Sequence, residues 1–494
     1  MKAFNNFQKR GSCVFIIFFI LFFINTAAQK VDEIAKLLPS DGQAGAFFGN
    51  SVATNGEIAI IGAWFDNDMT GAAYVFRQNE NNWVQEAKLL PEDGSSYDFF
   101  GSSVAVYEND VIVGATGADN KGAAYLFHYN GNSWSQTYKF TAGNGMTYDN
   151  FGSAVSLSGE YAVIGASGAQ TLKGAVYVYS KSGSGWQEDE MLTGTLYSSS
   201  FGSAVDISNE TIVVGASASS YAFVFMLDGN SWVKVAELED VNGSVTDKFG
   251  KTVSIDGDLV VIGATHHQNG NGATGAAYVY HRQGSSWVEE EKIVAEDGEL
   301  DDHFGIVSIY GTTIVVGAYG DDDYGLDAGS AYVYQKEEDN WQFKDKLLAS
   351  DGFAGDELGS SVAIFSDVIV AGAPNDNDNG ASAGSAYIFP GDIQTTVDHS
   401  EKNLLFTLGQ NFPNPFSGET KISFNIEEPT FVQITIFDCF GQKIETIINE
   451  YLPAGYHKTV WNGTNSNGEK VKSGLYYYQF RTNNGFVINS MLKL

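Results

Sequence analysis

Short apolar runs alternate with polar turns along most of this chain, and they return with a near-constant period. One segment alternates apolar and polar side chains, as in Ser102-Ser103-Val104-Ala105-Val106, which is the pattern of a half-buried strand. A tight turn follows, such as Asn55-Gly56, Ser158-Gly159 or Asp256-Gly257, suited to a two-residue hairpin because Asn and Gly accept positive φ. Next comes a continuous apolar run ending in Gly-Ala, as in Ile212-Val213-Val214-Gly215-Ala216, the signature of a strand buried on both faces. After a variable loop, a third strand reads Gly275-Ala276-Ala277-Tyr278-Val279-Tyr280 or close to it, and a fourth opens on tryptophan (Trp83, Trp134, Trp186, Trp232, Trp287, Trp341). These strands are called A to D below. A tryptophan at one fixed place in every unit packs the unit. Helical periodicity is absent, so the chain reads as all-β.

Strand A is preceded by Phe-Gly at Phe48-Gly49, Phe100-Gly101, Phe151-Gly152, Phe201-Gly202, Phe249-Gly250 and Phe304-Gly305, with Leu358-Gly359 as a seventh copy, at spacings of 48 to 55 residues. Four short antiparallel strands repeated seven times predict a seven-bladed β-propeller of four-stranded blades. The seventh copy stops after strand C, at Ala386-Tyr387-Ile388-Phe389-Pro390. Its missing strand D has a counterpart at the other end of the chain, where Val31 to Pro39 matches Val84 to Pro91. The expectation is therefore a propeller closed by the N-terminal strand, which also covers an exposed sheet edge.

The flanks differ from the repeats. Residues 1–28 carry Lys2, Lys9 and Arg10, then an apolar run from Val14 to Ile24, then Thr26-Ala27-Ala28, which is the pattern of a secretory signal peptide rather than a membrane span. Residues 29–392 form the repeat region, 393–402 a polar linker, and 403–494 a segment of short alternating strands without a period, predicted to be a small Ig-like β-sandwich. Once the signal is removed, Cys439 is the single cysteine, so no internal disulfide can form. The net charge of -33 becomes -36 without the three signal-peptide bases, and residues 403–494 balance seven acids with seven bases. The whole excess of acid thus lies in the repeat region. Such a surface repels phosphate and excludes nucleic acid as a partner, while leaving cations and neutral ligands open.

Strands of alternating direction sort the loops onto two faces. The B–C and D–A loops share one face, and it collects acids: Glu92, Asp93, Asp98, Glu296, Asp297, Asp301, Asp302, Asp351, Asp356 and Glu357 in D–A loops, Asp66, Asp68, Asp321, Asp322, Asp323, Asp327, Asp376 and Asp378 in B–C loops. Asp321-x-Asp323-x-Gly325-x-Asp327 and Asp376-x-Asp378-x-Gly380 alternate as calcium loops do, although both lack the distal bidentate glutamate, and they are the candidate calcium ligands. A second corner brings His266 and His267 near Asp301, Asp302 and His303, a set suited to a transition metal or to acid–base chemistry. No nucleophile motif, phosphate loop or zinc-protease helix occurs.

The recurring Phe-Gly and Gly-Ala pairs resemble the FG-GAP repeat of integrin α-subunits and of many exported bacterial proteins, over roughly residues 30–390. The resemblance implies a secreted or surface protein that binds other molecules. Its calcium loop, placed between the Phe-Gly and Gly-Ala strands, does not carry over, because connections such as Thr54-Asn55-Gly56-Glu57 are too short to supply six to eight oxygens. Residues 403–494 resemble the C-terminal sorting domain (type A) of Bacteroidetes type IX secretion cargo, through Gln410-Asn411-Phe412-Pro413-Asn414-Pro415-Phe416, Ile434-Thr435-Ile436-Phe437-Asp438, Leu452-Pro453-Ala454-Gly455-Tyr456, Trp461-Asn462-Gly463 and Ser473-Gly474-Leu475-Tyr476. That resemblance implies passage across the outer membrane by the type IX machinery, then surface attachment or release. The expected function is a non-enzymatic, exported binding or adhesion protein that engages a protein or glycan through its acidic loop face. The alternative is a glycan-active hydrolase or lyase with its site at the propeller mouth, which requires polar residues converging there.

Overall fold

The computed structural model describes residues 31–494 apart from 80–81, 184, 195–198, 270–271, 339, 392–405, 410, 427–428, 439–442, 467 and 483–484. The predicted signal peptide (1–28), the linker (393–402) and Cys439 lie outside the described residues. The chain divides into two compact units, Met1–Ile393 and Gln394–Leu494.

In the first unit each repeat folds as read, into four antiparallel strands in sequence order. The first sheet runs Val52–Thr54, Ile58–Ala63, Ala72–Asn79 and Asn82–Leu89. Strand B is buried throughout, consistent with its unbroken apolar run. Strand D alternates and keeps an outer edge in solvent. The Phe of each Phe-Gly pair packs edge-on against the aromatic of its own strand C, with ring centroids 5.3 Å apart for Phe48–Tyr74, 5.6 Å for Phe100–Tyr125 and 5.3 Å for Phe304–Tyr332.

The expected seven-bladed propeller closed by the N-terminal strand is corrected by the sheet topology. Among the described residues the first unit holds seven separate four-stranded sheets, and none of them is closed. Each ladder ends at its own strand A, because adjoining A strands meet through side chains and bare glycine backbone rather than through a shared ladder. Ser51 Oγ donates to the Gly101 carbonyl at 2.9 Å and Ser103 Oγ to that of Gly152 at 2.9 Å, while the backbones of adjoining sheets meet through isolated bridges such as Gly71 with Phe100 and loop hydrogen bonds such as the Phe100 N–H to the Thr70 carbonyl (2.8 Å). The N-terminal strand itself lies where its sequence placed it. Ala35–Leu37 pairs with Ser385–Pro390 in the register Ala35↔Ile388, Lys36↔Tyr387, Leu37↔Ala386, as the fourth strand of the seventh sheet.

Two features set how the sheets meet. The first is steric. A Cβ on Gly62 of strand B would stand 2.1 Å from the Gly101 carbonyl oxygen of the next sheet, and one on Gly114 2.1 Å from that of Gly152. Only glycine permits that approach. The second is Asp206, on strand A of the fourth sheet, half-buried by surface yet packed round by protein. Its Oδ1 accepts from Ser156 Oγ (2.8 Å) and the Ile207 N–H (2.9 Å), and its Oδ2 from the Ile255 N–H (2.9 Å) and Ser254 Oγ (3.3 Å). One carboxylate thus ties the third, fourth and fifth sheets together. Burial pushes it above the usual carboxylate range, with the four hydrogen bonds opposing.

The second unit, taken by itself, is a sandwich of a three-stranded sheet (Phe406–Leu408, Thr420–Ile426, Gly455–Trp461) and a four-stranded sheet (Lys443–Leu452, Thr430–Asp438, Gly474–Thr482, Gly485–Lys493). Trp461, Phe424, Ile434, Tyr478 and Phe480 form its core. The sequence motifs there prove structural: Asn411 is buried and donates to Thr420 Oγ1 at 2.8 Å, Phe416 is buried, and the Trp461 indole donates to the Thr464 carbonyl at 2.9 Å.

Replacing Gly114 by alanine is expected to cost about 2 kcal/mol or more in chemical denaturation, because its Cβ meets backbone. Gly143→Ala, whose Cβ meets nothing within 4 Å, serves as the neutral comparison. Asp206 titrates above its unfolded value of 3.8, so its folded form is favoured at acid pH and loses ground as pH rises through the folded pKa. The unfolding free energy of Asp206→Asn relative to wild type should therefore shift in the variant's favour from about pH 4 to about pH 7; a flat difference across that window would refute the assignment.

Candidate functional site

Antiparallel order brings the B–C loop and the preceding D–A loop of each sheet to one end, and the register of strands C and D then builds the same cage beneath them. A strand-C tyrosine faces a strand-D lysine in five sheets: Tyr74↔Lys88, Tyr125↔Lys139, Tyr278↔Lys292, Tyr332↔Lys346 and Tyr387↔Lys36. Each ammonium lies 5.0 to 5.3 Å from its tyrosine ring centroid and reaches up to the loops. In the sixth sheet Lys346 Nζ sits 2.9 Å from Asp297, 2.6 Å from Asp321 and 2.7 Å from Asp323. In the seventh, Lys36 Nζ sits 2.8 Å from Asp351, 2.8 Å from Asp376 and 2.7 Å from Asp378. Lys88 holds Asp41 and Asp66, and Lys139 holds Asp93 and Asp119. The tyrosine hydroxyl completes the set: Tyr332 donates towards Asp321 (2.8 Å) and Asp297 (2.9 Å), and Tyr387 towards Asp376 (3.0 Å) and Asp351 (2.9 Å).

The electrostatics follow from this packing. Burial alone would lower the Lys36 and Lys346 ammonium groups, but the hydrogen bonds each donates to three carboxylates outweigh it and hold both well above the usual lysine range. Burial likewise would raise Asp297 and Asp376, and the lysines overcome it and hold both below the usual carboxylate range. Their contribution to stability is therefore present above about pH 4 and lost as pH falls through the lowered values.

The calcium candidates divide. Asp321 and Asp323 come together with Asp297, and Asp376 and Asp378 with Asp351, so each group is assembled from two loops rather than one. Asp327 stays out: it is exposed, and its backbone N–H donates to Asp322 Oδ1 at 2.7 Å. Among the described residues, two groups have ligand atoms close enough together to hold a divalent cation, Asp297–Asp321–Asp323 and Asp240–Asp247–His267. In the first, the Lys346 ammonium already touches all three carboxylates.

The histidine corner also divides. His266 meets His303 at a tilt (4.8 Å between centroids, 41° between planes), and His303 stacks on Tyr319 (4.7 Å). His267 instead takes the cage position that Asp321 and Asp376 hold elsewhere. Its Nδ1 lies 3.0 Å from Asp247 and its Nε2 against the Lys292 ammonium, which makes Nδ1 the donor and Nε2 the acceptor. Asp302 caps its own loop, accepting from the Glu299 N–H at 2.7 Å, and burial pushes it up to about 6.

Sequence reasoning missed the lysines and one aromatic group. The lysines were legible, because Lys36-Leu37, Lys88-Leu89, Lys292-Ile293 and Lys346-Leu347 recur at one place in strand D. The aromatic group is Phe47, Trp64, Phe65, Tyr97 and Phe99, in the loops of the first two sheets, with Trp64–Phe65 centroids 4.5 Å apart and Phe65–Phe99 5.6 Å. Its signal was departure from the repeat: the residue before Phe-Gly is Phe47 and Phe99 here, but Asn150, Ser200, Lys248 and His303 further on. A cavity of about 670 Å³ lies between the outer strands of the first and second sheets, lined by Glu86, Phe127 and Trp134, and a similar one of about 620 Å³ between the fifth and sixth. Both lie between strand-D edges, and each reaches the loop face at one end, the first at Glu92 and the second at Glu296 and Asp297.

Lys346→Met removes the ammonium from three carboxylates and is expected to cost about 2 kcal/mol, below the usual figure for a broken buried pair because Asp297 and Asp323 are half-exposed. Calcium at about 5 mM should raise the Tm of that variant and leave the wild type unmoved. An equal rise in both proteins would show that lysine does not occupy the cation position.

Comparison with known proteins places this geometry. The FG-GAP repeat family matches residues 31–76, 83–127, 134–179, 232–280, 287–334 and 341–389, more than half of the chain. Each match starts in one strand D and ends in the next strand C. The stretch passed over, 180–231, holds strands A to C of the fourth sheet, in which Phe223 of strand C and Glu237 of strand D replace the tyrosine and lysine. The FlgD Ig-like domain matches residues 409–485. No curated protein matches. Among solved structures, a fungal alcohol oxidase of the AA5 family in complex with copper aligns at 10% identity and TM-score 0.48, covering 94% of this chain and 100% of that one. PorZ, a surface component of the type IX secretion system of Porphyromonas gingivalis, aligns at 14% identity and TM-score 0.35, covering 89% and 64%. Likeness at these scores carries no inference about chemistry. No helix among the described residues is long and apolar enough to cross a membrane. The Ig-like match falls on the segment that bears the sorting motifs. The chain belongs to the FG-GAP repeat family, and its residues 409–485 match the FlgD Ig-like domain.

Proposed function

We propose that this is an exported binding protein without catalytic activity, in which the seven sheets hold a set of loops rigid and the loop face engages a protein or glycan. The observation that carries the reading is the cage. The acids that recur on that face are engaged by lysine and tyrosine of their own sheets, as in Asp297, Asp321 and Asp323 around Lys346. They fix loops in place instead of converging on a reacting atom. Rigid loops that vary in sequence over a repeated scaffold are where recognition is usually built. Calcium is not needed for this role, since the ammonium supplies the positive charge. The signal peptide at 1–28 and the sorting domain at 403–494 supply the two export steps, across the inner and then the outer membrane.

Expression in a host with type IX secretion tests the export half. The full chain should reach the cell surface or medium with an N-terminus at Gln29, and a chain ending at Asp392 should remain in the periplasm. Surface delivery of the truncated chain would count against the sorting role. The binding half is tested by pull-down and glycan array with the full mature chain, with and without calcium, and retention of no partner under either condition would count against it.

A further inference from the structure

The aromatic group on the loop face is explained neither by the repeat nor by the cages. The residue before each Phe-Gly pair lies in the left-handed region in all seven sheets, at φ 53° for Phe47, 56° for Phe99, 55° for Asn150, 53° for Ser200, 62° for Lys248 and 58° for both His303 and Glu357. Asn tolerates that conformation best, and a bulky side chain is a poor choice for it. The chain nevertheless places phenylalanine there twice, in adjoining sheets. It also opens the first B–C loop with Trp64-Phe65, where the second and third have Thr116-Gly117 and Ser167-Gly168. These rings meet one another: Phe47–Phe65 at 5.4 Å, Trp64–Phe99 at 5.8 Å and Tyr97–Phe99 at 6.3 Å between centroids. Phe47, Trp64, Phe65 and Phe99 are only half-buried, and Tyr97 is 63% exposed, so the group is a platform at the surface and not a core.

The surroundings select the ligand. The -36 charge of the mature chain disfavours an anion. A divalent cation would need several free carboxylates together, but Asp66 is held by Lys88 and Tyr74 and Asp98 accepts from the Ser95 N–H at 2.8 Å, so the exposed Asp68 has neither beside it as a free ligand. The same loops carry amide and hydroxyl groups: Asn50, whose Oδ1 accepts from the Trp64 N–H at 3.4 Å, Ser102, whose N–H donates to the Phe99 carbonyl at 3.2 Å, and Asn67 and Ser96 within two residues of Phe65 and Tyr97, together with the exposed Asp68. Flat apolar surface edged by neutral hydrogen-bonding groups complements a sugar ring, which offers C–H bonds on its faces and hydroxyls on its rim. We infer that Trp64, Phe65, Phe99 and Tyr97 form a binding platform for a neutral glycan. This rests on the binding-protein reading above and names its ligand class.

The test is isothermal titration of the full mature chain with neutral hexasaccharides of glucose, mannose, galactose and xylose. At least one should bind with Kd on the order of 10 μM to 1 mM. Trp64→Ala and Phe99→Ala should weaken it at least tenfold, Trp64→Tyr should retain most of it, and Trp341→Ala, on a strand-D edge, should leave it unchanged. Thermal melts establish that each variant is folded. Absence of binding to every saccharide at about 10 mM, binding that Trp64→Ala leaves intact, or preference for a charged oligosaccharide or basic peptide would each overturn the platform. Those results leave the broader reading standing if the chain is exported and retains a protein partner, whereas a chain that is not exported fails that reading first.

Discussion

The arrangement of this protein depends on a single close approach of backbone to backbone. In each sheet the glycine of the Gly-Ala pair faces the carbonyl of the Phe-Gly glycine in the next sheet, at distances a Cβ cannot share: 2.1 Å for Gly62 with Gly101, 2.0 Å for Gly165 with Gly202, 2.1 Å for Gly317 with Gly359, and 2.0 Å for Gly372 of the seventh sheet with Gly49 of the first. That contact sets the spacing between sheets. The Phe of the same pair then lands on its own strand C, and the loops above are carried into fixed positions. The two glycine-bearing pairs recur while the loops between them vary, because only the pairs are constrained by backbone volume.

Charge follows a similar logic one layer higher. Five sheets place a lysine under loop carboxylates, and the third sheet shows the converse case. There the lysine position is Met191 opposite Tyr177, and the tyrosine hydroxyl meets Asn144 at 2.8 Å in place of an aspartate. Ammonium and carboxylate are lost together, as expected if either alone would leave a poorly solvated charge. The acidity of the chain is thus partly internal bookkeeping of the repeats, since many of the acids counted on the loop face already have a partner.

Much of this was legible in the sequence. Strand number, strand order, the tryptophan at the start of strand D and the partnership of Ala35–Leu37 with Ser385–Pro390 all followed from period and alternation. The contribution of each loop acid did not. Spacing within one loop suggested Asp321, Asp323 and Asp327, whereas the folded group joins Asp321 and Asp323 to Asp297 from another loop and leaves Asp327 in solvent. Local spacing cannot report a partner that arrives from a different connection. The closed propeller was over-read for a related reason: a repeat count says how many sheets form, while the ladders end at each strand A and the sheets meet by glycine contact and single bridges.

The outer strand of the seventh sheet has a consequence for how the molecule is made. Ala35–Leu37 is among the earliest of the described segments to be synthesised, and its partner Ser385–Pro390 comes some 350 residues later. Six sheets can assemble from neighbouring hairpins while the chain is still emerging, but the last must wait for both termini of the repeat region to be present together. Until then the strand Ser385–Pro390 keeps a bare edge. A chain of this design completes its seventh sheet only once Ser385–Pro390 is available, so its assembly is timed by the arrival of the final repeat.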